Sequence, residues 1–188
     1  SEKNSYREMI LKSAENKLYE VIQNIKKPTG WDNSFFLSAA LWSIRSHDTQ
    51  TKCGAVIVKD KRIISTGYNG FVSGVDDSAL PTVRPEKYSY MIHAEANAVY
   101  NAAKSGVTTL GSTCYVTAMP CLNCVQMLYQ CGIKEVYFSD ISSPKGEIFS
   151  ERYNKILGLL GDKLNMFFIP KLYLDQDTLM CVLKSLEK

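Results

Sequence analysis

The sequence predicts an α/β fold, a mixed five-stranded sheet with helices on both faces. Three observations carry this. Five short runs rich in β-branched and aromatic residues read as strands. Two of them are separated only by Asp60-Lys61, which makes a hairpin. The later runs alternate with helical patterns, and such crossovers are parallel and right-handed.

The elements follow in order. Met9, Ile10, Leu18, Val21, Ile22 and Ile25 give an amphipathic helix over Tyr6 to Lys27, stopped by Pro28-Thr29-Gly30. Asp32 or Asn33 caps the next helix, which runs through Phe35, Phe36, Ala39, Ala40, Leu41 and Ile44. Cys53 to Lys59 and Arg62 to Tyr68 are the hairpin strands. Asn69-Gly70 opens a loop through Tyr90, and an alanine-rich helix then starts near His93 and closes at Gly106. A strand at Thr113 to Ala118 leads to a helix that begins at Pro120 and ends near Cys131-Gly132. Glu135 to Ser139 is a strand, Ile148 to Leu160 a helix and Met166 to Ile169 the last strand. Asp177 to Leu186 forms a tail helix.

These elements divide the 188 residues into a helical extension (1–30), a main domain (31–175) and a tail (176–188). A 45% hydrophobic content, with eleven tyrosines and seven phenylalanines, supplies a core. The net charge of +3, with no Lys/Arg block, argues against a nucleic-acid partner. No stretch is apolar enough to span a membrane, and Ser1-Glu2-Lys3-Asn4 does not read as a secretory signal. Six cysteines without regular spacing fit a reducing compartment, the cytoplasm.

The chemistry concentrates in two segments, His93-Ala94-Glu95 and Pro120-Cys121-Leu122-Asn123-Cys124. Alone, a C-x-x-C is as readily a structural zinc half-site or a redox pair as part of a catalytic site. Here the second half of a closed site is missing. The chain has two histidines, and a fourth ligand would have to come from His47, Cys53, Cys114 or Cys131. His93, Cys121 and Cys124 thus make a three-ligand zinc site with one position open for water, the pattern of catalytic zinc. Helix N-termini favour the thiolate form of both cysteines. Glu95, two residues from His93, lies on another helical face and suits proton transfer better than ligation.

H-A-E with P-C-x-x-C is the signature of zinc deaminases, and further segments resemble the cytidine/deoxycytidylate deaminase superfamily. They are Cys53-Gly54-Ala55-Val56-Ile57-Val58, Gly67-Tyr68-Asn69-Gly70, Asp76-Asp77 with Leu80-Pro81, Gly132 to Val136 and Phe168-Ile169-Pro170-Lys171. The resemblance covers about residues 34 to 172 and is strongest to the deoxycytidylate (dCMP) deaminases. Free cytidine deaminases usually carry cysteine where His93 stands. The resemblance implies a three-layer α/β/α cytidine-deaminase-like fold and hydrolysis of dCMP to dUMP and ammonia, with Glu95 moving protons beside a zinc-activated water. It implies a homo-hexamer that dCTP activates and dTTP inhibits. Asn69 would meet the sugar 3′-hydroxyl and the Ala94 backbone the base edge. The phosphate would lie near residues 45–52, with Thr51, Ser46, Arg45 and Lys52 as candidates. Gly67, Tyr68, Asn69 and Gly70, with Asp76 and Asp77, would hold the regulatory nucleotide, with Mg²⁺ suited to the carboxylates. Some phage members bind a second zinc in the loop before H-A-E, but residues 71–91 contain no cysteine or histidine, so one zinc per subunit is expected. Competing readings are a dCMP/dCTP deaminase, a tRNA or polynucleotide deaminase, and a silent nucleotide-binding subunit.

Overall fold

The computed structural model describes residues 21, 24–140, 151–170 and 176–187. Most of the expected N-terminal helix, and the start of the one expected at Ile148, lie outside these residues; residues 24–27, expected to end that first helix, are instead extended, and Ile25 bridges Phe168 in parallel. Helix α1 spans Gly30–Ser43. Strands β1 (Gly54–Lys59) and β2 (Arg62–Tyr68) form the hairpin. Asp60 and Lys61 both take positive φ, as a two-residue turn of this hand requires. Helix α2 (Ala94–Lys104), strand β3 (Thr113–Val116), helix α3 (Leu122–Gln130) and strand β4 (Glu135–Phe138) follow. Helix α4 (Glu151–Leu160), strand β5 (Asn165–Phe168) and helix α5 (Gln176–Leu186) complete the described chain.

The five strands form one sheet in the order β2-β1-β3-β4-β5. β1 is antiparallel to both β2 and β3, whereas β3, β4 and β5 run parallel. The sheet is therefore mixed, as expected; β2 has the expected bounds, and the other strands differ from the sequence reading by one or two residues.

Period-two alternation builds two cores from the same strands. Ala55, Ile57, Cys114, Val116, Val136, Phe138 and Met166 pack with Ala98, Val125, Leu128, Tyr153 and Leu157 of α2, α3 and α4. Val56, Val58, Tyr115 and Tyr137 face the other way, onto Phe35, Phe36 and Ala39 of α1. The result is three layers. Tyr115, Tyr137 and Phe167 stack in sequence across the α1 face, with successive ring centroids 4.7 and 4.9 Å apart.

Helix α1 corrects one expectation. Its cap is Thr29, not Asp32 or Asn33. Thr29 Oγ1 accepts the Asp32 N–H at 3.2 Å, and Asp32 accepts the Thr29 N–H at 2.9 Å, a reciprocal capping box. The other Asp32 oxygen accepts the Tyr115 hydroxyl at 2.7 Å, tying the helix start to the sheet.

Gly67 sets how closely α2 approaches β2. A Cβ there would stand 2.3 Å from the Ala94 carbonyl oxygen and 2.4 Å from the Ala98 nitrogen. Both are helix backbone, so the helix itself would have to move. Gly67→Ala is expected to cost about 1–3 kcal/mol, the range of overpacked sites. Urea unfolding checks this, and an unchanged midpoint would show that α2 yields freely.

Candidate active site

Two helix starts meet. His93 is the N-cap of α2 and Cys121 the N-cap of α3, with Cys124 in the first turn of α3. Their backbones begin the helices in the usual way: Asn97 N–H donates to the His93 carbonyl and Val125 N–H to the Cys121 carbonyl. The side chains converge. Cys121 Sγ lies 3.4 Å and Cys124 Sγ 3.5 Å from His93 Nδ1. Zinc bonds of about 2.3 Å to sulfur and about 2.0 Å to nitrogen, at a tetrahedral angle, separate the ligand atoms by about 3.5–3.8 Å. The spacing and the donor set of two sulfurs and one imidazole nitrogen fit zinc. Among the described residues this is the single group of three such donors within mutual reach.

Electrostatics agree with that fit. The Cys124 thiol donates to Cys121 and, with His93 nearby, holds Cys121 down at about 4. That hydrogen bond and burial push Cys124 up. The pair thus keeps one proton that a metal would displace.

Glu95, the second residue of α2, is 5% exposed and lies outside the three-donor group. Burial pushes its carboxyl up to about 7, against the opposing pull of its own N–H and of His93. His93, Ala94, Glu95 and Cys121 line a cavity of about 710 Å³, within the size range of small-molecule sites. Asn69 and Thr51 line it too.

The Asn69 amide is heavily engaged. Its Oδ1 accepts the Cys53 N–H at 2.8 Å, and its Nδ2 donates to the Thr51 carbonyl at 2.9 Å. It therefore shapes the loop before β1 as well as facing the cavity. Gly67, Tyr68, Gly70, Asp76 and Asp77 are not part of the cavity lining. Gly67 packs on α2, and the Tyr68 carbonyl accepts from Asn97 Nδ2 at 2.8 Å. Gly70 and Ile92 exchange two backbone hydrogen bonds, at 3.0 and 2.8 Å. Asp76 caps the short turn Asp77–Ala79, and Asp77 stands 3.1 Å from His47 Nε2.

Four polar lining residues are not singled out by the sequence reading: Asp48, Arg84, Lys87 and Tyr88. Lys87 and Asp48 form an ion pair at 2.7 Å with side chains only 3% and 2% exposed. Asp48 also accepts the N–H groups of Gln50 and Thr51, at 2.8 and 2.9 Å. Burial opposes its charge, but Lys87 and the two N–H groups outweigh it and hold the carboxyl below its ordinary value. A local signal for Asp48 exists, because Asp-x-Gln-Thr suits an Asx-turn. Nothing near Lys87 in the sequence marks it as buried.

Residues 29–140 match the model of the cytidine and deoxycytidylate deaminase zinc-binding region. The chain belongs to the cytidine and deoxycytidylate deaminase family. This family member is 42% identical over 133 residues to a probable deoxycytidylate deaminase of Caenorhabditis elegans, covering 68% of this chain and 64% of that protein. It is 38% identical over 115 residues to human deoxycytidylate deaminase, covering 57% and 64%. The chain thus spans just under two thirds of these curated relatives. The crystal structure of the cyanophage S-TIM5 dCMP deaminase in complex with dCMP and dUMP superposes with a TM-score of 0.59 at 26% identity. That superposition covers 77% of this chain and all of the phage chain. No helix among the described residues is long and apolar enough to cross a membrane.

Proposed function

We propose that this chain hydrolyses dCMP to dUMP and ammonia, supplying dUMP for dTTP synthesis. The observation that carries the reading is the buried Glu95 carboxyl beside the His93, Cys121 and Cys124 donors on one cavity wall. His93, Cys121 and Cys124 would hold one zinc per chain, and zinc bound there supplies the Lewis acidity that makes water a nucleophile at neutral pH. Glu95 takes a proton from the attacking water and passes it to the pyrimidine ring nitrogen, then takes the second proton from the hydroxyl newly added to the base carbon and gives it to the departing amine. Its buried site keeps bulk water from competing for that proton. The Ala94 backbone meets the base edge, the remaining acceptor capacity of Asn69 serves the sugar 3′-hydroxyl, and Thr51 lies toward the phosphate. The relatives' names and the dCMP and dUMP bound to the phage protein support this substrate.

The same reading includes a cytoplasmic homo-hexamer, activated by dCTP and inhibited by dTTP. The effector would sit on the exposed side of the Gly67-Tyr68-Asn69-Gly70 segment, with Mg²⁺ near Asp76 and Asp77 and Gly67 contributing backbone alone. Residues 1–30 are an extension to the domain at 31–175, and 176–188 form a tail.

The test follows the ultraviolet absorbance of dCMP with zinc-loaded protein, with and without dCTP and Mg²⁺. The expected result is one zinc per chain and sigmoidal kinetics that become hyperbolic with dCTP. Hyperbolic kinetics unchanged by dCTP would remove the regulation. Absence of dCMP turnover under both conditions would overturn the reading.

A further inference from the structure

Helix α4 reaches the metal donors through one hydroxyl. Tyr153, in its first turn, is 1% exposed and sits in the same core cluster as Val125, Leu128 and Phe138. Its hydroxyl donates to the Pro120 carbonyl at 2.7 Å, across 33 positions of sequence. Phenylalanine would fill the same volume without taking a hydroxyl out of water. What the tyrosine adds is therefore the bond to Pro120.

Pro120 stands directly before Cys121. It has no N–H to give, so its backbone can be held only through its carbonyl. Met119, one residue earlier, is tied by its N–H to the Asp140 carbonyl at 2.8 Å, and the Cys121 carbonyl accepts the Val125 N–H at 2.9 Å. Three consecutive residues are thus anchored, and the Tyr153 hydroxyl supplies the middle anchor. Of the three donors, Cys124 is held within α3, whereas His93 and Cys121 stand at helix ends. His93 is backed by the paired hydrogen bonds of Ile92 with Gly70, and Cys121 by the anchors on Met119 and Pro120. Such backing sets ligand direction, because a sulfur that swings away from the other two donors breaks the tetrahedral arrangement.

We infer that the Tyr153 hydroxyl is a positioning group for the metal site: it holds Cys121 against His93 and Cys124 and sets how tightly this chain keeps its zinc. The inference rests on reading the three donors as a zinc site, and it adds a residue of α4 that is not part of the cavity lining.

The experiment uses the full chain as wild type, Tyr153→Phe and Leu157→Val. It measures zinc affinity by competition with a chromophoric chelator, and the absorption of the cobalt-loaded protein. Leu157 lies one turn along the same face of α4, is 3% exposed, and serves as the control for loosened packing. Tyr153→Phe is expected to weaken zinc binding about 10–100-fold and to shift the thiolate-to-cobalt absorption. Leu157→Val should lower the melting temperature and leave both metal readouts at the wild-type level. Wild-type affinity in Tyr153→Phe, a loss of affinity without a change in the cobalt spectrum, or an equal loss in Leu157→Val overturns the inference. A wild type that binds no zinc overturns the metal site itself, and the inference with it.

Discussion

Glu95→Gln protein is expected to bind zinc at the wild-type level, melt no lower than wild type, and turn over dCMP about 10²–10⁴-fold more slowly. The substitution keeps the shape of a side chain that is 5% exposed. It removes the group that accepts and returns a proton, and an amide cannot do either. It leaves His93, Cys121 and Cys124 untouched, so the metal donors remain. Stability should hold because burial already disfavours the charged carboxyl, so the neutral amide relieves a cost. Metal content, a thermal melt and the rate together decide the matter. Retained zinc with near-wild-type turnover would remove Glu95 from the chemistry. Lost zinc would instead make it part of the metal site.

The second large effect concerns stability. Lys87→Met leaves Asp48 buried and charged with no counter-ion, and breaking one side of such a pair costs about 3–5 kcal/mol. In a chain of this size that lowers Tm by roughly 10–15 °C. The Asp48→Asn, Lys87→Met double variant should recover much of the loss, because a neutral amide oxygen still accepts the Gln50 and Thr51 N–H groups. A single variant that melts within 2 °C of wild type would show the pair to be energetically silent. The pH dependence carries the same sign. The folded pKa of Asp48 is lowered, so its contribution is complete above the unfolded value of about 3.9 and is lost as pH falls through the folded value.

The contrast between these two residues explains what was legible in the sequence. Glu95 announces itself because its partners are local in the chain or carry a rare spacing, and the helices bearing them have readable starts. The strands were legible for a similar reason, since period-two patterning is a local property. Asp48 and Lys87 are 39 positions apart, and each alone reads as an ordinary solvated charge. Their pairing exists only once the segment before β1 and the one before α2 fold against each other. Arg84 shares that difficulty, because the Thr51 hydroxyl that accepts from it is 33 positions away. Thr29 was missed for another reason. Pro-Thr-Gly reads as the stop of one helix, and the same threonine starts the next through a side-chain contact that Asp32 completes.

The paired hydrogen bonds between Gly70 and Ile92 bear on how such a protein diversifies. They clamp the two ends of segment 71–91 next to His93, while Arg84, Lys87 and Tyr88 sit inside the clamp. Closure entropy grows only logarithmically, so doubling a loop costs about 0.6 kcal/mol. Insertions and deletions within this segment that leave Lys87 on Asp48 are therefore thermodynamically cheap, and they leave the ends of the clamp where they were. One wall of the cavity and the metal donors become separately heritable: the rest of the loop can be rewritten over many generations while the first turn of α2 stays in register with Cys121 and Cys124.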